Sequence, residues 1–195
     1  TRFKDLELFQ TPTHLSAKEF FFPQRECLVK FDMQTGSHEP VVASQSQVII
    51  GLHSCDIHAL NLMDKVFSYG TSDANYLARR TNTIIIGAEC FPDEHCFCSS
   101  VGTMDVSVGF DIFLHKIKSG FLARTATEAG KGLLHRMTLT AKASASQIKE
   151  LDRLKKKKES SFVTRLNAAP KDLPGIYAKG NDTPVWGKIG ANCYG

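Results

Sequence analysis

Two short apolar runs constrain the fold of this chain more than any other feature. The first is Val48-Ile49-Ile50-Gly51-Leu52 and the second is Thr83-Ile84-Ile85-Ile86-Gly87-Ala88. Both are short, β-branched and punctuated by glycine, so both read as buried strands. Each runs into cysteine. His53-Ser54-Cys55-Asp56 follows the first, and Glu89-Cys90 and then Cys96-Phe97-Cys98 follow the second. If the strands are parallel neighbours, their carboxyl ends open on one edge of the sheet, where α/β proteins place their sites. Cys55, Cys90, Cys96 and Cys98 then converge on one point. Four thiolates there suit a metal ion or an iron–sulfur cluster.

The segments between and after these runs support an α/β architecture. From Asp56 to Phe67 the pattern is helical, with Ile57, Leu60, Met63 and Phe67 on one face. Asp56 is placed to cap that helix or to lie in its first turn. Cys55 would then sit at a helix N-terminus, where backbone N–H groups favour a thiolate. A second helix is predicted over Asp73–Arg80, leading into the strand at Thr83. Alternation from Gly109 to Ile117 predicts another strand, with Phe121–Arg124 as its hairpin partner across Lys118-Ser119-Gly120. Ser144 to Leu166 reads as a helix capped by Ser144 or Ser146, with Ile148, Leu151 and Leu154 as an apolar stripe. The expected fold is a mostly parallel sheet flanked by helices, with the cysteines at the carboxyl ends of two strands.

Near the N-terminus, Phe20-Phe21-Phe22-Pro23 and the partly alternating Glu26–Phe31 are expected to pack on the main core, with Cys27 filling space there. Residues 37–46 read as a polar connection. From Ala169 the composition shifts to Pro170, Pro174, Gly175, Gly180 and Pro184, which marks a linker. The chain therefore divides into a domain over residues 1–168 and a distinct segment over 169–195.

Composition removes several function classes. The 195 residues carry a net charge of +4, and much of the excess lies in Lys155-Lys156-Lys157-Lys158. That run reads as the solvated end of a surface helix. Nucleic-acid binding would need basic residues spread over a face with interleaved aromatics. No apolar run has the length of a membrane span, and no export signal is visible, so a cytoplasmic location is expected. Gly130-Lys131-Gly132 lacks the spacing of a phosphate loop or a dinucleotide fingerprint. That argues against a flavin or nucleotide at the sheet edge.

Six cysteines permit disulfides. The chain is long for a disulfide scaffold, however, and Cys96 and Cys98 are too close in sequence to pair comfortably. Clustered cysteines in such a chain bind metal or do redox work. Cluster, zinc and unligated thiols all remain open on spacing alone. Structural zinc more often shows two C-x-x-C knuckles, which are missing here. His53, His58 and His95 lie near the cysteines in sequence and are assigned ordinary polar roles. A Cys–His nucleophile is less consistent with three cysteines inside nine residues.

Several of these segments together resemble one family. They are Lys18-Glu19-Phe20-Phe21-Phe22-Pro23 with Glu26, Gly51-Leu52-His53-Ser54-Cys55-Asp56, Asp73 with Tyr76 and Arg79-Arg80, Cys90, and Cys96-Phe97-Cys98-Ser99. The family is that of the iron–sulfur subunits of anaerobic sulfite reductases and the beta subunits of sulfhydrogenases. The similarity runs from about Lys18 to Gly195. The resemblance implies one [4Fe–4S] cluster held by Cys55, Cys90, Cys96 and Cys98. It implies electron relay from a flavin-containing NAD(P)H-oxidising subunit to a catalytic subunit. Family members usually continue into a ferredoxin-like domain, and Trp186–Gly195 looks like its entry. Cys193 matches the first cysteine of that domain's cluster motif. Without the following cysteines it is expected to be an idle thiol. Arg79 and Arg80 are expected to line the cluster or a partner surface, or simply to meet local carbonyls. The rival reading is a zinc-stabilised module that docks protein partners without redox work.

Overall fold

The computed structural model describes residues 16–137 and 140–191. Its first strands, β1 (Val29–Phe31) and β2 (His38–Pro40), form an antiparallel hairpin of their own. Asp32 Oδ1 accepts from the Gln34 and Thr35 amides inside its turn. Every residue of the two strands is exposed, and Phe31 is 70% so. The expectation that Glu26–Phe31 packs on the core is therefore corrected, and Cys27 is exposed with it. A three-residue strand pair has too little apolar face to dock independently. The anchor in this region is Phe21, which is fully buried, while Phe20 and Phe22 stay half exposed.

The main sheet has the order β3-β4-β5-β6. It contains β3 (Gln47–Leu52), β4 (Thr83–Ala88), β5 (Ile112–Ile117) and β6 (Gly120–Thr125). β3, β4 and β5 run parallel, and β6 returns antiparallel to β5. The two apolar runs are thus parallel neighbours, with Val48 opposite Ile84 and Ile50 opposite Ile86. Between them lie α1 (Ser54–Ser68) and α2 (Ala74–Thr81). The Asp73 side chain caps α2 by accepting from the Tyr76 amide at 2.8 Å.

The core joins Leu52, Ile57, Leu60, Tyr76, Ile85, Phe110 and Phe113, with Phe21 added from the N-terminal segment. Ile57 and Leu60 are the buried members of the α1 stripe, and Met63 and Phe67 pack at its margin. Gly87 lets α1 pack close to the sheet: a Cβ there would meet Phe113 and Ile57.

A third helix, α3 (Glu128–Arg136), follows β6 and begins under a Thr127 cap. It forms although the two glycines of Gly130-Lys131-Gly132 weaken helix propensity. α4 (Ala145–Ser160) is capped by Ser144, whose side chain accepts from the Gln147 amide while Gln147 reaches back to the Ser144 amide. It stops at Ser160, well short of the end expected at Leu166. Phe162 is buried beyond its end. Past Ala169 the Pro- and Gly-rich stretch forms a 3₁₀ turn and two short helices, α5 (Leu173–Gly180) and α6 (Val185–Gly190), with no buried residue in either. No helix among the described residues is long and apolar enough to cross a membrane. Cys193 lies outside the described residues.

Candidate metal centre

The parallel pairing of β3 and β4 brings the cysteine segments together. Cys55 lies in the first turn of α1, just past the carboxyl end of β3. Asp56 secures that turn by accepting from the His53 amide at 3.1 Å, the capping role foreseen for it. Cys90 follows the end of β4, where the Glu89 amide extends the ladder to Leu114 O at 2.9 Å. Cys96 and Cys98 come from the loop after it. Asp93 Oδ1 braces that loop by accepting the His95 and Cys96 amides, both at 2.9 Å. The Thr103 amide donates to Cys98 O at 3.0 Å. Residues beyond α4 close over the loop: Thr164 Oγ1 donates to Glu94 O, and the Leu166 amide donates to Ser100 Oγ.

Cys55, Cys90, Cys96 and Cys98 line one cavity, together with Lys158 and Phe162. All four are free thiols. Cys55 and Cys98 share a hydrogen bond that raises the Cys55 thiol and lowers that of Cys98. The two thiols therefore titrate as one coupled pair. Burial pushes the Cys90 thiol up to about 11. Burial also raises Cys96. Among the described residues, no group of three or more His, Cys, Asp or Glu side chains is arranged as a formed metal site. The donor chemistry nevertheless fits a thiolate-bound group: the four cysteines line one cavity, no carboxylate lines it, and a lysine does.

Lys158 is the residue that sequence reasoning missed. It is only 4% exposed, although it closes a run of four lysines. Its Nζ donates to Glu89 Oε1 and, at 3.0 Å, to Met104 O. Glu89 Oε2 also meets His115 Nδ1 at 3.0 Å. Burial alone would raise the Glu89 carboxyl, but the His115 hydrogen bond and the Lys158 charge hold it below its usual value. Burial would lower the Lys158 ammonium, but Glu89 and the nearby thiols hold it above its usual value. Lys155 pairs with Asp105 at 2.6 Å, and Lys157 lies over the Phe91 ring. The solvated-run reading therefore fails for Lys158, while Lys155 and Lys157 stay at the surface. A 3.6-residue repeat inside the run was the available signal, since Leu151, Leu154 and Lys158 share one helix face.

The histidines and arginines lie elsewhere. His53 is buried, which lowers its pKa, and its Nδ1 has no partner among the described residues. His58 Nε2 meets Asp105 O at 2.9 Å, and His95 is exposed beside Glu94. None of the three lines the cysteine cavity. Arg79 binds Glu26 and Phe21 O, which ties the N-terminal segment to α2. Arg80 holds Asp64 through Nε at 3.0 Å and reaches Gly109 O. Asp64 also accepts from the Tyr76 hydroxyl at 2.7 Å. In this chain both arginines make contacts that tie segments of the fold together.

No family model and no solved structure matches the chain. It is 32% identical, over 192 residues, to the protein named sulfhydrogenase 2 subunit beta of Pyrococcus furiosus. That match covers 98% of the chain. Over nearly its whole length, the chain is thus similar to a sulfhydrogenase beta subunit. It spans 56% of that relative's length. The name makes the relative one subunit of a hydrogenase-type oxidoreductase.

Proposed function

We propose that the cysteine cavity holds a [4Fe–4S] cluster through Cys55, Cys90, Cys96 and Cys98, and that the chain relays electrons inside a sulfhydrogenase-type complex. The observation that carries this reading is the meeting of four thiols and one buried lysine, with no carboxylate in the lining. Such a group supplies one-electron chemistry when bound. The protein's own part is to hold and to tune. The first turn of α1 presents backbone N–H groups beside Cys55, and such groups favour anionic sulfur. Lys158 offsets negative charge near Cys90 and Cys98, since a cation beside a thiolate favours it. Phe162 and Pro92 limit water in the cavity.

The donor would be a flavin-containing NAD(P)H-oxidising subunit, with a catalytic redox subunit as acceptor, as the motif resemblance implies. A cytoplasmic location belongs to the same reading, and residues 169–195 would lead toward a ferredoxin-like domain. The test is anaerobic purification followed by iron, sulfide and zinc analysis, repeated on Cys96→Ser. About four iron and four sulfide per chain, lost in the variant, are expected. Stoichiometric zinc without iron would replace this reading with the zinc-stabilised module.

A further inference from the structure

One wall of the cysteine cavity supplies no cysteine. Thr103 and Met104 form it, where the loop after β4 leaves the site. The backbone there is tied to three elements. Lys158 of α4 donates to Met104 O at 3.0 Å. His58 of α1 donates through Nε2 to Asp105 O at 2.9 Å. Arg124 of β6 donates to Val106 O, and Val106 is itself buried. The Thr103 amide turns the loop back onto Cys98 O at 3.0 Å. These contacts hold Thr103 against Cys98, and its side chain hydrogen-bonds the Cys98 side chain. The other polar side chains of the lining are placed differently. Lys158 is engaged with Glu89, and Ser54 Oγ has no partner among the described residues.

A threonine hydroxyl can donate or accept, but toward an anionic sulfur it can only donate. Hydrogen bonds to a charged form favour it, and hydrogen bonds to the sulfurs of a cluster help to set its potential. We infer that Thr103 is a positioning residue for the cluster proposed above, whose hydroxyl donates to the Cys98 sulfur and thereby favours the reduced state. The inference rests on that proposal. Thr103 is not itself a ligand, since its hydroxyl is a harder donor than the four thiols beside it. Its effect on the potential depends on a fixed backbone, because a hydroxyl held in place orients the sulfur it meets.

The test is anaerobic redox titration of the iron-loaded full chain, comparing wild type with Thr103→Val and Thr103→Ser, with iron content measured in each. Valine keeps the branched shape and removes the donor. Thr103→Val should keep the wild-type iron content and lower the midpoint potential, with the reduction equilibrium falling about tenfold, or about 59 mV for one electron. Thr103→Ser should restore most of the wild-type potential. Thr103→Ala is the second donor-free variant if Thr103→Val fails to fold, with circular dichroism as the check. Equal potentials in wild type and the donor-free variant would overturn the inference. So would loss of iron from a folded donor-free variant, or a fall in Thr103→Ser as large as that in Thr103→Val. Wild type without iron would instead overturn the cluster reading, and this inference with it.

Discussion

Lys158 shows how burial changes the value of a residue. Its neighbour Lys155 makes an ion pair with Asp105 in which both side chains are more than a third exposed, whereas Lys158 is enclosed with Glu89. Exposed pairs contribute little, while breaking a buried pair leaves an uncompensated charge. Lys158→Met should therefore lower unfolding free energy by about 3 kcal/mol, and Lys155→Ala by less than about 1 kcal/mol. Parallel urea melts measure the difference. The buried groups also predict a pH dependence. His53 is held below its usual 6.5, and Glu89 and Asp105 below 4.5 and 3.8. In each case the unfolded chain takes up the proton first as pH falls. The stability these groups contribute is thus present above those ordinary values and is lost as pH drops through the lower folded ones. Thermal melts should decline from about pH 6.5, and more steeply below about pH 4.5. Glu89→Gln should remove part of the steeper fall. A melting temperature that stays flat from pH 7 to pH 4 would contradict this account.

Within the elements, α3 separates two glycines that are indistinguishable in sequence. Gly130 packs on the backbone carbonyl of Asp111, and a Cβ there would collide with it. Gly132 faces open space. Asp111 is itself buried and accepts from the Ile85 amide at 2.8 Å, so it has little freedom to yield. Gly132→Ala should stabilise the protein by about 0.5–1 kcal/mol, since alanine restricts the unfolded chain and suits a helix. Gly130→Ala should destabilise it by about 2 kcal/mol or more. A shared sign in the two unfolding curves would refute the packing of α3 on the Asp111 segment. Elements are legible where periodicity is long or the apolar run β-branched, as in β3, β4, α1 and α2. α3 is hidden because the glycine at its contact serves close approach rather than flexibility. The end of α4 is obscured because Phe162 is buried without being helical.

At the scale of the molecule, the cysteine cavity joins parts distant in sequence: the start of α1, the end of β4, the 91–104 loop and the end of α4. A group bound there would cross-link them, and its binding free energy would add to folding free energy. Anaerobic reconstitution with iron and sulfide should raise the melting temperature by about 5 °C or more, and chelation should reverse it. Cys55→Ser should lose most of that increment while leaving the unloaded melting temperature nearly unchanged. An equal increment in wild type and variant would place the bound group elsewhere.

The parallel pair of strands and the helices between them are written in the residue order, because β-branched runs and 3.6-residue stripes encode local geometry directly. The four cysteines are marked there too as belonging to one place, since strand ends of a parallel sheet share an edge. What surrounds them is settled by packing alone. That Lys158 is inside while Lys155 stays at the surface, and that Arg79 and Arg80 brace the N-terminal segment and the Gly109 turn, depends on which helix faces which strand. A charged residue carries no sign of its depth; burial is a property of the packed molecule, not of the run in which the residue lies.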